Sequence, residues 1–149
     1  MEINAELRIF IVDDDRSSLA LYQQHLCNMG FTNVFSFENG NACLNAVTQQ
    51  PGVVFLDQKM KMPNAVDVLR KIKCFDPNIY VVFISSWEEV QAAVDSLKFG
   101  AFDYIIKGKT QLSQVELVLN RISKVWELLL AARKGITQKR TPLYNAIIC

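Results

Sequence analysis

Four short apolar segments of this chain each end at side chains that could take part in chemistry. In chain order these side chains are Asp13 and Asp14, then Asp57, Ser85 and Lys107. Carboxylates that lie close together repel, which raises the pKa of at least one of them unless a cation joins them. Magnesium prefers such hard oxygen ligands, and a remaining carboxylate can attack phosphorus while a lysine and a hydroxyl bind phosphoryl oxygens. These residue types therefore favour phosphoryl transfer to a carboxylate, provided that the fold brings them together.

The segments that carry these residues alternate between two kinds of pattern. Short apolar, β-rich runs predict strands, and apolar residues at spacings of three and four predict helices. The predicted strands are 7–12, 33–37, 53–56, 79–84 and 102–106. The predicted helices are 17–29, 41–49, 66–75, 87–99 and 112 to about 133. We expect Asp15 to cap the first helix, and Gly30 and Gly100 to end the first and fourth.

Five strand–helix repeats with uniformly apolar strands predict a parallel sheet that is covered by helices on both faces. We expect a doubly wound, five-stranded α/β fold of the flavodoxin-like type, with strand order 2-1-3-4-5 and an extended C-terminal helix. In that order the carboxyl ends of strands 1, 3, 4 and 5 are neighbours. The fold would therefore gather the carboxylates, the hydroxyl and the ammonium around one pocket.

The order Asp-Asp, Asp, Ser, Lys at these strand ends resembles the receiver domains of bacterial two-component response regulators, such as the chemotaxis regulator. The similarity extends over roughly residues 5–124 and includes GFTNV at 30–34 and GAFDYIIK at 100–107. It implies a cytoplasmic signalling domain that receives a phosphoryl group from a sensor histidine kinase or phosphotransfer protein. Phosphorylation would switch an output surface of helix 4, strand 5 and helix 5. Such a domain is not an enzyme beyond its own phosphotransfer and autodephosphorylation.

The resemblance also implies roles for residues around a Mg²⁺ cofactor. Asp57 is similar in position to the phosphoacceptor. Asp13 and Asp14 resemble the acidic pair, with Asp14 as the direct metal ligand and Asp13 acting through water. The backbone carbonyl of Lys59 would complete the share of the metal shell that the protein supplies.

Three further residues match positions that respond to the phosphoryl group. Ser85 resembles the hydroxyl that moves towards it, and Lys107 resembles the lysine that pairs with it. Tyr104 resembles the aromatic switch residue, whose ring turns inward when Ser85 moves. A half-buried strand tyrosine is the alternative for Tyr104.

The chain departs from the family pattern beside the acceptor and after the lysine. Lys61 occupies the usual proline position, and a second Met-Pro follows at 62–63. Gly108 stands where a proline with a cis bond is usual, and we expect a trans bond because a non-proline cis bond costs about 2.5–4 kcal/mol. Gly108 and Lys59 keep open a pseudo-receiver that binds partners without being phosphorylated. A haloacid-dehalogenase-type phosphatase is a weaker alternative, suggested by Asp13-x-Asp15-x-Ser17 alone.

Composition excludes several other classes of function. Sixteen basic residues against fifteen acidic ones give a net charge of +1, without the basic excess of a nucleic-acid-binding surface. Four scattered cysteines and one histidine offer no zinc-binding spacing. We therefore expect no nucleic acid and no membrane as partners of this chain.

The last predicted helix carries more apolar residues than one sheet can cover. An a/d seam runs through Val115, Val118, Ile122, Val125, Leu129 and Ala132. We divide the chain into a receiver domain, 1–124, and a helix extension with linker or tail, 125–149. The extension predicts a homodimer contact or a docking site for a downstream effector. The tail either leads to an effector domain or ends a single-domain regulator, and the sequence leaves both open.

Overall fold

The computed structural model describes residues 5–135. The strands are β1 (Arg8–Val12), β2 (Asn33–Phe37), β3 (Val53–Asp57), β4 (Tyr80–Ser85) and β5 (Asp103–Ile106). The helices are α1 (Arg16–Asn28), α2 (Gly40–Ala46), α3 (Ala65–Phe75), α4 (Val90–Ser96) and α5 (Gln111–Gly135). Every predicted element is present within this range, with bounds that differ by a few residues.

The five strands form one parallel sheet in the order β2-β1-β3-β4-β5, which confirms the predicted fold class. The register brings the strand ends into line. Val12 pairs with Leu56, Asp57 with Ile84, and Ser85 with Ile106. The residues that follow these positions therefore share the carboxyl edge of the sheet.

The core has two layers because successive strand residues point to opposite faces. On one face, Ile9 and Ile11 pack among buried residues of α1 and α5. On the other face, Phe10 and Val12 pack among buried residues of α2, α3 and α4. Burial of each large apolar side chain contributes about 1.5–3 kcal/mol, so both layers fix the strand ends firmly.

Helix ends follow the capping residues of the sequence. The Asp15 carboxylate accepts a hydrogen bond from the Ser17 N–H at 3.0 Å, which confirms the predicted cap of α1. Asn39 and Asn64 cap α2 and α3 in the same way. Gly30 and Gly100 adopt φ of +101° and +104° just beyond helical segments, a conformation that favours glycine.

The prediction of one continuous fourth helix over 87–99 is wrong. The α-helix covers Val90–Ser96 only, and 3₁₀ turns at Trp87–Glu89 and Leu97–Phe99 flank it. The second helix likewise passes into a 3₁₀ turn at Val47–Gln49. Apolar periodicity does not separate these forms, since one 3₁₀ turn differs from an α-turn only slightly in its spacing.

Helix α5 changes character along its length. Val115, Val118, Leu119 and Ile122 are buried against the sheet. Beyond them, Trp126, Leu128, Leu129 and Leu130 are 43–65% exposed. Trp126, Leu129 and Leu130 line a pocket of about 520 Å³ together with Pro77, which precedes β4, and Tyr80, its first residue. The apolar face of α5 therefore extends beyond the part of the core on which it packs.

Within residues 5–135, every helix is too short or too polar to cross a bilayer.

Candidate functional site

Three carboxylates meet at the carboxyl edge of the sheet. Oxygens of Asp13, Asp14 and Asp57 all lie within 4.8 Å of one another. Asp13 and Asp57 are each 1% exposed, whereas Asp14 is open to solvent. The sequence placed these residues after β1 and at the end of β3, and the order β1-β3 makes those strands neighbours.

This arrangement disfavours the ionised form of the Asp13 carboxylate. Its Oδ1 accepts a hydrogen bond from the Asp15 N–H at 2.9 Å, and its Oδ2 is buried without a hydrogen-bond partner among residues 5–135. The pKa of Asp13 is raised to about 6, chiefly by burial, and the negative charge of Asp57 contributes to this rise. The Asp15 N–H and the Lys107 ammonium act in the opposite direction on this pKa. An oxygen in this state is satisfied by a proton or by a cation.

Asp57 is held by contacts to one of its oxygens. The Lys107 Nζ lies 3.2 Å from Asp57 Oδ1, and the Lys59 N–H donates to the same oxygen at 3.3 Å. Lys107 is 28% exposed, so the ion pair closes the outer side of an otherwise buried carboxylate. The predicted lysine and acceptor are therefore in contact, and the main chain of Lys59 lies beside them.

Ser85 and Tyr104 lie near this edge on β4 and β5. Ser85 is fully buried, and its hydroxyl donates to the Ser86 carbonyl at 2.9 Å. Tyr104 is half-buried and packs on the core layer formed with α2, α3 and α4. Phe83, two residues before Ser85, is the register partner of Tyr104. The structure thus places both residues on adjacent strands at the edge that holds Asp57.

The peptide bond between Lys107 and Gly108 is trans, as expected, since the cis bond recorded for residues 5–135 is Met62–Pro63. The Lys107 N–H continues the sheet by donating to the Ser85 carbonyl at 2.8 Å. Glycine at position 108 therefore does not prevent the ammonium from reaching Asp57.

Sequence reasoning missed Gln111, which contacts the loop after Lys107, and Tyr22, which contacts Gln111. The Gln111 Oε1 accepts a hydrogen bond from the Gly108 N–H at 2.9 Å, and its Nε2 donates to the Tyr22 hydroxyl at 3.1 Å. A glutamine three residues after a turn glycine was a usable signal, because this spacing lets the side chain reach back to the main chain at the start of a helix. Nothing in the sequence pointed to its contact with Tyr22, 89 positions away.

The residues present fit a hard divalent cation. Three carboxylates face one ammonium, and one buried carboxylate oxygen has no hydrogen-bond partner in the described part of the chain. All the side-chain ligands are oxygens, and one of the carboxylates is open to solvent. Magnesium suits such a site because it binds through a few carboxylates and retains several waters.

Comparisons with known proteins agree with this geometry. Residues 9–118 match the model of the response regulator receiver domain. The transcriptional regulatory protein ZraR of Klebsiella oxytoca is 34% identical over 103 residues, which are 68% of this chain and 23% of that protein. The transcriptional regulator NtrC of Salmonella typhimurium is 32% identical over 120 residues, 80% of this chain and 25% of that protein. This chain thus spans about a quarter of the length of these relatives.

A crystal structure of a response regulator receiver domain protein from Clostridium thermocellum shares the fold. Its TM-score is 0.75 at 25% identity, over 83% of this chain and 98% of that one. Together with the family match over residues 9–118, this likeness identifies the chain as a member of the response regulator receiver domain family.

Proposed function

We propose that this chain accepts a phosphoryl group on Asp57 from a phosphohistidine of a sensor kinase or phosphotransfer protein. The observation that carries the proposal is the buried Asp57 carboxylate, with the Lys107 ammonium at 3.2 Å on the same edge as Asp13 and Asp14. The family is one of signalling domains, and the geometry supports the phosphoryl chemistry of that family at this edge.

In the proposed transfer, an oxygen of Asp57 forms a bond to phosphorus while the bond from phosphorus to the donor imidazole nitrogen breaks. The imidazole leaves with the electron pair and takes up a proton. Lys107 binds a phosphoryl oxygen through its ammonium, and the Lys59 N–H is placed to donate to another.

The residues that would hold Mg²⁺ are Asp13, Asp14, Asp57 and the backbone carbonyl of Lys59. Asp14 would bind the metal directly and Asp13 through water. A bound Mg²⁺ would neutralise negative charge on the incoming phosphoryl group. It would also relieve the repulsion that Asp13 experiences from Asp57.

Ser85 and Tyr104 are the proposed switch. In the phosphorylated state, the Ser85 hydroxyl exchanges its bond to the Ser86 carbonyl for one to a phosphoryl oxygen. Tyr104, half-buried on the adjacent strand, then turns its ring towards the space that Ser85 vacates. This rearrangement would alter the surface formed by α4, β5 and α5.

The proposed output is a protein contact in the cytoplasm. The receiver unit, 1–124, would present the switched surface, and the extension from 125 onwards would join two copies or dock an effector. The exposed apolar residues Trp126, Leu128, Leu129 and Leu130 support such a contact, because an apolar stripe of this kind marks an interaction site. The predicted linker or tail at 136–149 lies outside the described residues.

The proposal is tested by incubating the protein with acetyl phosphate and Mg²⁺ and measuring its intact mass. The parent is expected to gain one phosphoryl group, and a folded Asp57→Asn variant none. Equal gain in both proteins would contradict Asp57 as the acceptor, and a folded parent that gains nothing from either acetyl phosphate or a histidine kinase would favour the pseudo-receiver. Turnover of p-nitrophenyl phosphate would instead support the phosphatase alternative.

A further inference from the structure

Gln111, the first residue of α5, connects two parts of the molecule through its side chain. Its Oε1 accepts a hydrogen bond from the Gly108 N–H at 2.9 Å, and its Nε2 donates to the Tyr22 hydroxyl at 3.1 Å. Its own N–H donates to the Gly108 carbonyl at 3.2 Å. Both main-chain polar groups of Gly108 are therefore bound by the same residue.

Tyr22 gives this connection a fixed end. The tyrosine lies on α1 and is 2% exposed, packed in the core layer that α1 shares with α5. A ring that is packed in this way has little freedom to rotate or shift. The amide of Gln111 is thus anchored to the core, and the main chain at Gly108 is anchored through it.

Gly108 has no packing of its own. A Cβ at this position would meet nothing within 4 Å, and φ is +155°. The preceding residue is Lys107, whose N–H is bound to Ser85 at the end of β4 and whose Nζ reaches Asp57. The main chain that carries the ammonium is held on its N-terminal side by the sheet, and on its C-terminal side by Gln111.

We infer that Gln111 is a positioning residue for the reaction at Asp57: through Gly108 and Tyr22 it holds Lys107 where the ammonium can bind a phosphoryl oxygen. The inference rests on the proposed function of Asp57 and Lys107. It assigns to the α1–α5 side of the molecule a direct part in the geometry of the site.

A simple helix cap is the competing explanation, since a glutamine in this place also satisfies an N–H at the start of a helix. The two explanations differ in their dependence on Lys107. A cap stabilises α5 whether or not the ammonium is present. A positioning residue loses its effect on the reaction once Lys107 is removed, because the two changes then act on the same contact.

The test compares initial rates of phosphorylation of Asp57 by acetyl phosphate with Mg²⁺, under conditions in which all variants are folded. Gln111→Met keeps the length of the side chain and removes both of its hydrogen bonds. It should slow the reaction by roughly ten-fold, the size expected when the charge-assisted hydrogen bond from the Lys107 ammonium to a phosphoryl oxygen is weakened. Tyr22→Phe removes one anchor and should slow it less. The matched control is Gln24→Met, which removes one exposed hydrogen bond to Asn28 and should leave the rate unchanged.

In a Lys107→Ala background, Gln111→Met should cause no further loss of rate. An equal loss in both backgrounds, or no loss in the parent, would overturn the inference and leave Gln111 as a cap. The NMR signal of the Lys107 side-chain ammonium in the unphosphorylated protein supplies a second readout. We expect this signal to weaken in Gln111→Met and in Asp57→Asn.

The second readout separates the inference from the proposed function. If the parent is never phosphorylated, the proposed function fails, while the ammonium signal still decides the role of Gln111. An ammonium signal that is unchanged in Gln111→Met would overturn the positioning role even if Asp57 is phosphorylated normally.

Discussion

Two regions of this molecule depart from the usual partition of side chains, and they do so in opposite directions. The carboxyl edge of the sheet buries carboxylates, with Asp13 and Asp57 each 1% exposed. The far part of α5 exposes apolar side chains, with Leu128 65% and Leu129 53% exposed. Globular proteins normally bury apolar side chains and expose carboxylates. We propose that each region serves an interaction with something outside the chain: a cation and a phosphoryl group at the edge, and a protein surface on α5.

The largest predicted effect separates the two halves of α5. Ile122→Ala should lower the free energy of unfolding by about 2–5 kcal/mol, because Ile122 is 2% exposed within the core. The matched change Leu129→Ala should alter it by less than about 0.5 kcal/mol in the monomer, since Leu129 is mostly exposed. Urea denaturation measures both. Comparable losses from the two changes would mean that the far part of α5 is already packed.

Removing a charge from the buried edge should stabilise the protein. The folded-state pKa of Asp13, about 6, lies above its ordinary value of 3.8, so the unfolded chain releases this proton at lower pH than the folded one. Stability therefore falls as pH rises from about 4 to about 6, and the full penalty, up to about 3 kcal/mol, applies above that window. Asp13→Asn should remove this penalty to the free energy of unfolding.

The measurement is the free energy of unfolding of parent and Asp13→Asn as a function of pH, in the presence of a chelator. The variant should be more stable at pH 7.5, and the difference should shrink towards zero near pH 4. A parent that gains stability between pH 4 and 6 relative to the variant would show that burial does not dominate at Asp13.

Binding of Mg²⁺ should offset the loss of stability that the clustered carboxylates cause. A ligand that binds only the folded state at ten times its Kd adds about 1.4 kcal/mol of stability. We expect Mg²⁺ to raise the melting temperature of the parent, and to raise that of Asp14→Asn much less. Na⁺ at matched ionic strength serves as the control. The same increase in both proteins would indicate an effect of salt rather than of this site.

The smallest predicted effect concerns Asp15, and its sign shows whether every acidic residue at this edge lowers the stability of the fold. Asp15 is exposed and accepts hydrogen bonds from the Ser17 N–H and the Ser18 hydroxyl. Asp15→Ala should lower the free energy of unfolding by about 1 kcal/mol, the usual loss for a helix N-cap, whereas Asp13→Asn raises it. Chemical denaturation at pH 7.5 measures the change in the free energy of unfolding for both variants, and the two changes should have opposite signs. Stabilisation by Asp15→Ala would mean that charge repulsion outweighs capping there.

The sequence predicted a parallel sheet because β1, β3 and β4 are mostly apolar, and it predicted the strand order from the doubly wound fold that strand–helix repeats favour. It also predicted the cluster of Asp13, Asp14 and Asp57, since parallel strands bring their carboxyl ends together. The same reasoning placed Lys107 at this edge, where its ammonium contacts Asp57.

Other features depend on tertiary packing and could not be predicted in this way. The 3₁₀ turns on either side of α4 share their apolar spacing with an α-helix. The bridge from Gln111 to Tyr22 joins residues far apart in sequence, and its existence depends on how α1 and α5 pack side by side. The point at which α5 leaves the core likewise depends on the size of the sheet rather than on the heptad pattern.

The central claim is that Asp57, and not another carboxylate of the cluster, forms the acyl phosphate. Its most direct test is reduction of the phosphorylated protein with borohydride, which converts an aspartyl phosphate into homoserine, followed by peptide mapping by mass spectrometry. We expect homoserine at position 57 and unchanged aspartate at positions 13 and 14. Homoserine at position 13 or 14, with Asp57 intact, would contradict it.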